Sequence, residues 1–144
     1  MSVEENKALV RRFYEEIDKG NLAAMDELVA VNYIDHSPPP FPGLLPGRAG
    51  LKQAFEIFWV ATPGHHHIEE QIAEGDKVVT RIRVTGTHEQ DLPGISKTGN
   101  KLETTATVTH RIEDGKLAEK WSNKDELGFL QQLGVIPPPE GHAS

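Results

Sequence analysis

Residues 101–121 read KLETTATVTHRIEDGKLAEKW, and this stretch decides the fold class. Leu102, Thr104, Ala106, Val108, His110 and Ile112 alternate with Lys101, Glu103, Thr105, Thr107, Thr109 and Arg111. A period of two puts the first set on one face of a strand and the second on the other. Asp114-Gly115 is the residue pair a type I′ hairpin asks for, so the chain turns back on itself there. Leu117, Glu119 and Trp121 are then expected on one side of a last strand. Upstream, residues 77–89 alternate in the same way. Val78, Thr80, Ile82 and Val84 fall on one side, and Val79, Arg81, Arg83 and Thr85 on the other. Gly75-Asp76 joins that strand to an extended segment over 65–73, so the second half of the chain reads as an antiparallel meander.

The first half has a different period. Val10, Phe13, Tyr14 and Ile17 recur at helical spacing within an expected helix from Val3 to Lys19, opened by a Ser2–Glu5 capping box and stopped by Gly20. Asn21 is expected to cap a second short helix bearing Leu22, Met25, Leu28 and Val29, followed by an extended piece over Val31–His36. Residues 37–47, SPPPFPGLLPG, hold five prolines and can be neither helix nor central strand. They form a stiff apolar loop carrying Phe41. A third helix spans Arg48–Val60, with Leu51, Phe55 and Phe58 on one face, and a short fourth spans Asp125–Leu133. Helices first and meander second argue an α+β fold, with helices on one face of a curved sheet. The helices leave part of that sheet open, as a pocket or a subunit interface.

The chain has 144 residues, which is one domain: residues 1–136 are expected to form it, with a flexible Pro-rich tail at 137–144. A globule of this size needs no metal or disulfide staple. There is no cysteine, which removes disulfides, thiol nucleophiles and Cys-ligated metals. Asp plus Glu number 22 against 15 Lys plus Arg, for a net charge of −7, and the basic residues are scattered, so a nucleic-acid partner is not expected. No apolar run approaches the roughly 20 residues of a membrane span. The opening MSVEENKALVRRFYEE reads as an acidic helix and not a signal peptide, so the expected location is the cytoplasm. No phosphate-binding loop, dinucleotide glycine fingerprint, HExxH or G-x-S-x-G elbow is present.

Four segments carry a resemblance: ENKALVRRFYEE, NLAAMDELVAVNYIDH, AEGDKVVTRIRVTGTH and EDGKLAEKWSNKDELGFLQQLGVI. Together they resemble the SnoaL-like polyketide cyclases of the nuclear-transport-factor-2-like superfamily, over roughly Glu5 to Ile136. The resemblance implies a cone-shaped α+β architecture: a curved, mostly antiparallel sheet wrapping an apolar pocket, closed by the N-terminal helices. It also implies a homodimer or higher oligomer formed through the sheet, and intramolecular aldol ring closure without metal or cofactor. Two residues take roles from it. Asp125 in KDELG matches the family's acid/base aspartate, and His36 in Tyr33-Ile34-Asp35-His36 matches a pocket histidine. The chain departs from the pattern at Lys120, where members commonly read Glu-His-Trp.

Each candidate has a structural alternative. Ser122-Asn123-Lys124-Asp125 also fits a helix cap, so Asp125 is either a proton shuttle or a cap. His36 is either a pocket group or bonded to a nearby carbonyl. Strand parity puts His110 on the apolar face, as a core histidine or a donor to a substrate carbonyl. Tyr14, Phe55, Trp59, Trp121 and Phe41 are candidate substrate-binding walls or simply core. His65-His66-His67 would place two imidazoles on one strand face, but no obvious acid completes a metal site, and none is expected. Arg81 and Arg83 could anchor a carboxylate or pair with Glu103 or Glu119 across the sheet. The sequence thus supports a cofactor-free cyclase or isomerase acting on a hydrophobic carbonyl compound. The alternatives are a non-catalytic binding module of the same fold and a structural dimer with no active pocket.

Overall fold

The computed structural model describes residues 1–137. Helix α1 (Val3–Asp18) begins at Ser2, whose hydroxyl accepts from the Glu5 N–H while Glu5 accepts from the Ser2 N–H, both at 3.1 Å. These bonds satisfy two of the donors a helix start leaves open. Gly20 ends the turn at φ +76°, and the Trp59 indole packs against its bare backbone: a Cβ there would stand 2.8 Å from the ring. A 3-10 turn (Leu22–Ala24) runs into the one-turn helix α2 (Met25–Leu28). Asn21 does not cap this segment as expected. Its amide donates instead to Glu16 at 2.7 Å, tying the end of α1 down.

Strand β1 (Val29–Asp35), helix α3 (Gly47–Ala61), strands β2 (Gly64–Glu74), β3 (Lys77–Thr87), β4 (Lys101–Glu113) and β5 (Lys116–Lys124), and helix α4 (Glu126–Gln132) complete the chain. The strands order β1-β5-β4-β3-β2 in one sheet among the described residues. All neighbours are antiparallel except β1, which runs parallel to β5. This is the expected α+β architecture with a mostly antiparallel curved sheet. Register shifts interrupt the ladder at Ile68–Glu70 in β2, at Arg111–Ile112 opposite β5, and between Val29 and Ile34 in β1. Such bulges bend a sheet and raise its twist, which lets this one curl around the helices. The expected tail at 137–144 lies, apart from Pro137, outside the described residues.

The main core gathers Val10, Phe13, Ile17, Met25, Leu28, Val78 and Leu117 between α1 and the concave sheet face. The inward set of β4 is the one its alternation predicts, with Leu102, Ala106, Val108, His110 and Ile112 all buried. On the convex side Arg83 bonds Glu69 at 3.0 Å and Glu103 at 3.2 Å, and Arg81 meets Glu70 at 3.5 Å, so both arginines are spent on neighbouring strands. Glu119 takes Arg111 as its arginine, at 2.8 Å. No helix among the described residues is long and apolar enough to cross a membrane.

The bulge in β5 changes one reading. Arg111 pairs with Glu119 but Ile112 pairs with Leu117, so Ala118 is an extra residue and the side-chain parity flips. Leu117 is fully buried while Trp121 keeps 36% of its surface exposed; the two do not share a side. Lys120, Ser122 and Lys124 face inward instead.

Candidate active site

A cavity of about 350 Å³ opens between the concave sheet and the helices, within the size range of ordinary small-molecule sites. Its walls are chiefly apolar. α3 contributes Leu51, Phe55, Phe58 and Trp59, and the proline loop adds Pro39, Pro40 and Phe41. The sheet supplies Ile82, Val84, Leu102, Ala106 and Val108, and α4 supplies Phe129 and Leu130. The loop between β3 and β4, a Gly/Pro connection by sequence, folds inward to add Leu92, Pro93 and Ile95. Leu92 and Ile95 exchange two backbone hydrogen bonds of 2.9 Å. Behind it, His88 is fully buried and its Nδ1 accepts from the Thr98 N–H at 3.2 Å, so this lip is held from below.

Two polar pairs sit in this apolar setting. Asp18, the last residue of α1, takes the Nδ1–H of His66 at 2.6 Å on one oxygen and the His66 backbone N–H at 2.8 Å on the other. Both side chains line the cavity and are more than four-fifths buried. The second pair is Asp35 and Lys120, 3.1 Å apart and equally buried, on β1 and β5 at directly opposed positions. Tyr14 lies within electrostatic reach of both carboxylates. Burial first, then Asp18 and Asp35, hold its hydroxyl well above the ordinary tyrosine pKa, so it stays a neutral donor. Lys124 lines the mouth, where burial and the like charge of Lys120 lower its ammonium pKa against the opposing pull of Asp35 and Glu126.

The residues singled out in the sequence divide into three groups. Tyr14, Phe55, Trp59 and Phe41 line the cavity. Asp125 also lines it, but at the mouth, exposed, with one carboxylate oxygen accepting the Gly128 N–H at 3.0 Å as the cap of α4. His36, Trp121 and His110 do not reach it. His36 lies instead on the outer face, where its Nε2 is 2.7 Å from Glu119 and its ring stacks on Trp121 at 4.7 Å, nearly parallel. The physical reason is the alternation of β1 and β5: Asp35 and Lys120 point in, so His36 and Trp121, one step along, point out. His36 and Arg111 together hold the Glu119 carboxyl below its usual range.

His110 is on the predicted face but one layer behind the cavity wall, edge-on to Phe13 and Tyr14 at 5.9 and 6.2 Å. It is fully buried and neither ring nitrogen has a partner among the described residues. Burial, with a smaller push from Lys120, lowers its pKa to about 3, so it is a neutral core group. Of the histidine triplet, His66 is claimed by Asp18 and His67 lies 2.9 Å from the Thr85 hydroxyl. No group of three or more metal-ligating side chains forms among the described residues.

Sequence reasoning missed Asp18, Asp35 and the inward turn of His66. The signal for Asp18 was present: an acid at the C-terminal end of a helix, with no base in the last turn, sits against the macrodipole. A residue that breaks a local rule marks a site held for another purpose. Asp35 directly precedes His36 in the Tyr33-Ile34-Asp35-His36 segment.

The sequence profile of the SnoaL-like polyketide cyclases matches residues 8–133, most of the chain. The chain belongs to the SnoaL-like polyketide cyclase family. A Bacillus cereus protein provisionally named a polyketide cyclase is 34% identical, with a TM-score of 0.76 over 92% of this chain and 82% of that one. IdmH of Streptomyces antibioticus, also provisionally named a polyketide cyclase, is 27% identical with a TM-score of 0.76, covering 90% of this chain and 99% of its own. TsrD of Streptomyces laurentii superposes at a TM-score of 0.84 over 94% of this chain and 99% of its own, but at 23% identity that likeness concerns the fold alone. A comparison with curated proteins finds no match.

Proposed function

We propose that this member of the SnoaL-like family closes a ring by intramolecular aldol condensation, or carries out a related proton-transfer isomerisation, on a hydrophobic carbonyl substrate. The single observation that carries the reading is the cavity itself: apolar walls sized for a small molecule, with two buried polar pairs set among them. Aldol closure needs a proton taken from carbon beside a carbonyl and one delivered to the alkoxide that forms. Low surrounding polarity strengthens each such contact. The chemistry asks for no cofactor, and none is invoked.

Lys120 is suited to face the developing enolate oxygen, because its side chain lines the cavity largely buried, with its Nζ 3.1 Å from Asp35. Asp125 remains the acid/base candidate at the mouth. Heptane-2,6-dione tests the reaction type. Its closure to 3-methylcyclohex-2-enone with loss of water should be saturable and accelerated over buffer, and Asp125→Asn should slow it if Asp125 moves the proton. No acceleration by the wild-type chain would refute ring closure.

A second reading, a binding module, is favoured by the cap that already occupies Asp125. It predicts saturable binding of the dione with no turnover.

A further inference from the structure

We propose that His66 is the base that takes the carbon-bound proton in this cavity, with Asp18 as its positioning residue. The inference rests on the ring-closure reading and names the group that starts it.

The hydrogen bonding decides which atom acts. A carboxylate only accepts, so Nδ1 of His66 must carry a proton to meet Asp18 at 2.6 Å. In the neutral ring the lone pair is then on Nε2, which has no protein partner among the described residues. Of the four carboxylates that line the cavity, Glu126 is exposed on α4 and the other three already hold partners. Asp18 gives its oxygens to the His66 ring and backbone. Asp35 holds Lys120 and the Ser37 N–H. Asp125 caps α4.

The ring is also fixed in orientation. Tyr14 lies against it at 4.9 Å and 33°, and Phe55 meets it edge-on at 6.2 Å. Its strand is pressed onto β3 at Gly64, where a Cβ would stand 1.8 Å from the Thr85 carbonyl oxygen. Asp18 is fixed by the tethered end of α1. A buried anion at the negative end of a helix is unfavourable by itself and is offset here by the histidine it holds.

The step balances. Nε2 takes the proton, and the C–H electron pair passes to the adjacent carbonyl as an enolate. The enolate carbon attacks a remote carbonyl of the same molecule, forming the ring's C–C bond as that C=O pair becomes an alkoxide, and the alkoxide recovers the proton from the imidazolium.

5-Nitrobenzisoxazole tests the base without knowledge of the natural substrate. Removal of its C3 proton breaks the N–O bond and releases 2-cyano-4-nitrophenolate, a coloured product. We expect saturable turnover, with His66→Gln lowering kcat by about 100-fold or more at unchanged KM. Asp18→Asn should lower kcat by about 10-fold with KM held, because an amide can also stabilise the wrong ring tautomer. His67→Gln, on the same strand outside the cavity lining, should match wild type. Thermal melts and the KM values establish that each variant folds and binds. Wild-type kcat retained in His66→Gln, or wild-type turnover no faster than free imidazole, would overturn the proposal. Loss in Asp125→Asn with none in His66→Gln would also overturn it, while leaving ring closure of the dione standing. Dione closure absent from a chain that opens the isoxazole through His66 would instead sink the ring-closure reading and spare the base.

Discussion

Lys120 and Asp35 stand at opposed positions of the parallel β1–β5 pair and meet at 3.1 Å on the cavity side of the sheet. The pair joins the first strand to the last, so it is at once a clasp of the fold and a feature of the site. Lys120→Met leaves the Asp35 carboxylate largely buried beside only the Ser37 N–H. We expect a loss of roughly 2–3 kcal/mol in denaturant unfolding. The double variant Lys120→Met/Asp35→Asn should recover more than half of it, because no unpaired charge remains. A double-variant loss equal to the sum of the separate Lys120→Met and Asp35→Asn losses would show that the pair is not coupled.

Asp125 serves two possible roles that one pair of substitutions separates. Asn caps a helix about as well as Asp, whereas Ala does not. Asp125→Ala should therefore cost about 1 kcal/mol through the Gly128 contact, and Asp125→Asn only a few tenths. Chemical denaturation of both variants checks this. A drop in dione turnover in the Asn variant, at nearly full stability, then belongs to chemistry and not to the cap.

His110 makes the fold acid-sensitive. At neutral pH the ring is uncharged in both states. Below an ordinary histidine pKa of 6.5 the unfolded chain takes a proton that the folded chain refuses until about pH 3. Stability should fall as pH falls through this window, by up to ~1.4 kcal/mol per unit. Unfolding curves at pH 6.0 and 4.8 should show wild type losing about 1.5 kcal/mol more than His110→Leu. Parallel losses in the two proteins would exclude His110 as the source.

Gly64 is the tightest backbone approach in the neighbourhood of His66. Gly64→Ala forces a Cβ to within 1.8 Å of the Thr85 carbonyl, so β2 and β3 must part. We expect about 2–3 kcal/mol of destabilisation and a weaker isoxazole KM as the strand bearing His66 shifts. Calorimetry and the isoxazole assay read the two effects; a wild-type melting temperature would refute the clash.

The sequence by itself determined the elements and most of the faces. Alternation in β3 and β4, the helical stripe of α1 and the turn pairs at Gly75-Asp76 and Asp114-Gly115 are local patterns, and local patterns are what backbone geometry reads directly. The aromatic walls Tyr14, Phe55 and Trp59 followed, because in a hollow α+β fold the apolar face of each element is also the lining. Tertiary structure decided the rest. The bulge at Ala118 reversed β5, taking Trp121 out and bringing Lys120 in, and no local pattern announces a single extra residue against a partner strand. The pairing of β1 with β5 turned His36 outward and its neighbour Asp35 inward. Asp18 and His66 are 48 positions apart, and only the packing of α1 across β2 makes them a hydrogen-bonded pair. Charge partnership at that separation depends on distance in space, to which the order of residues along the chain is blind.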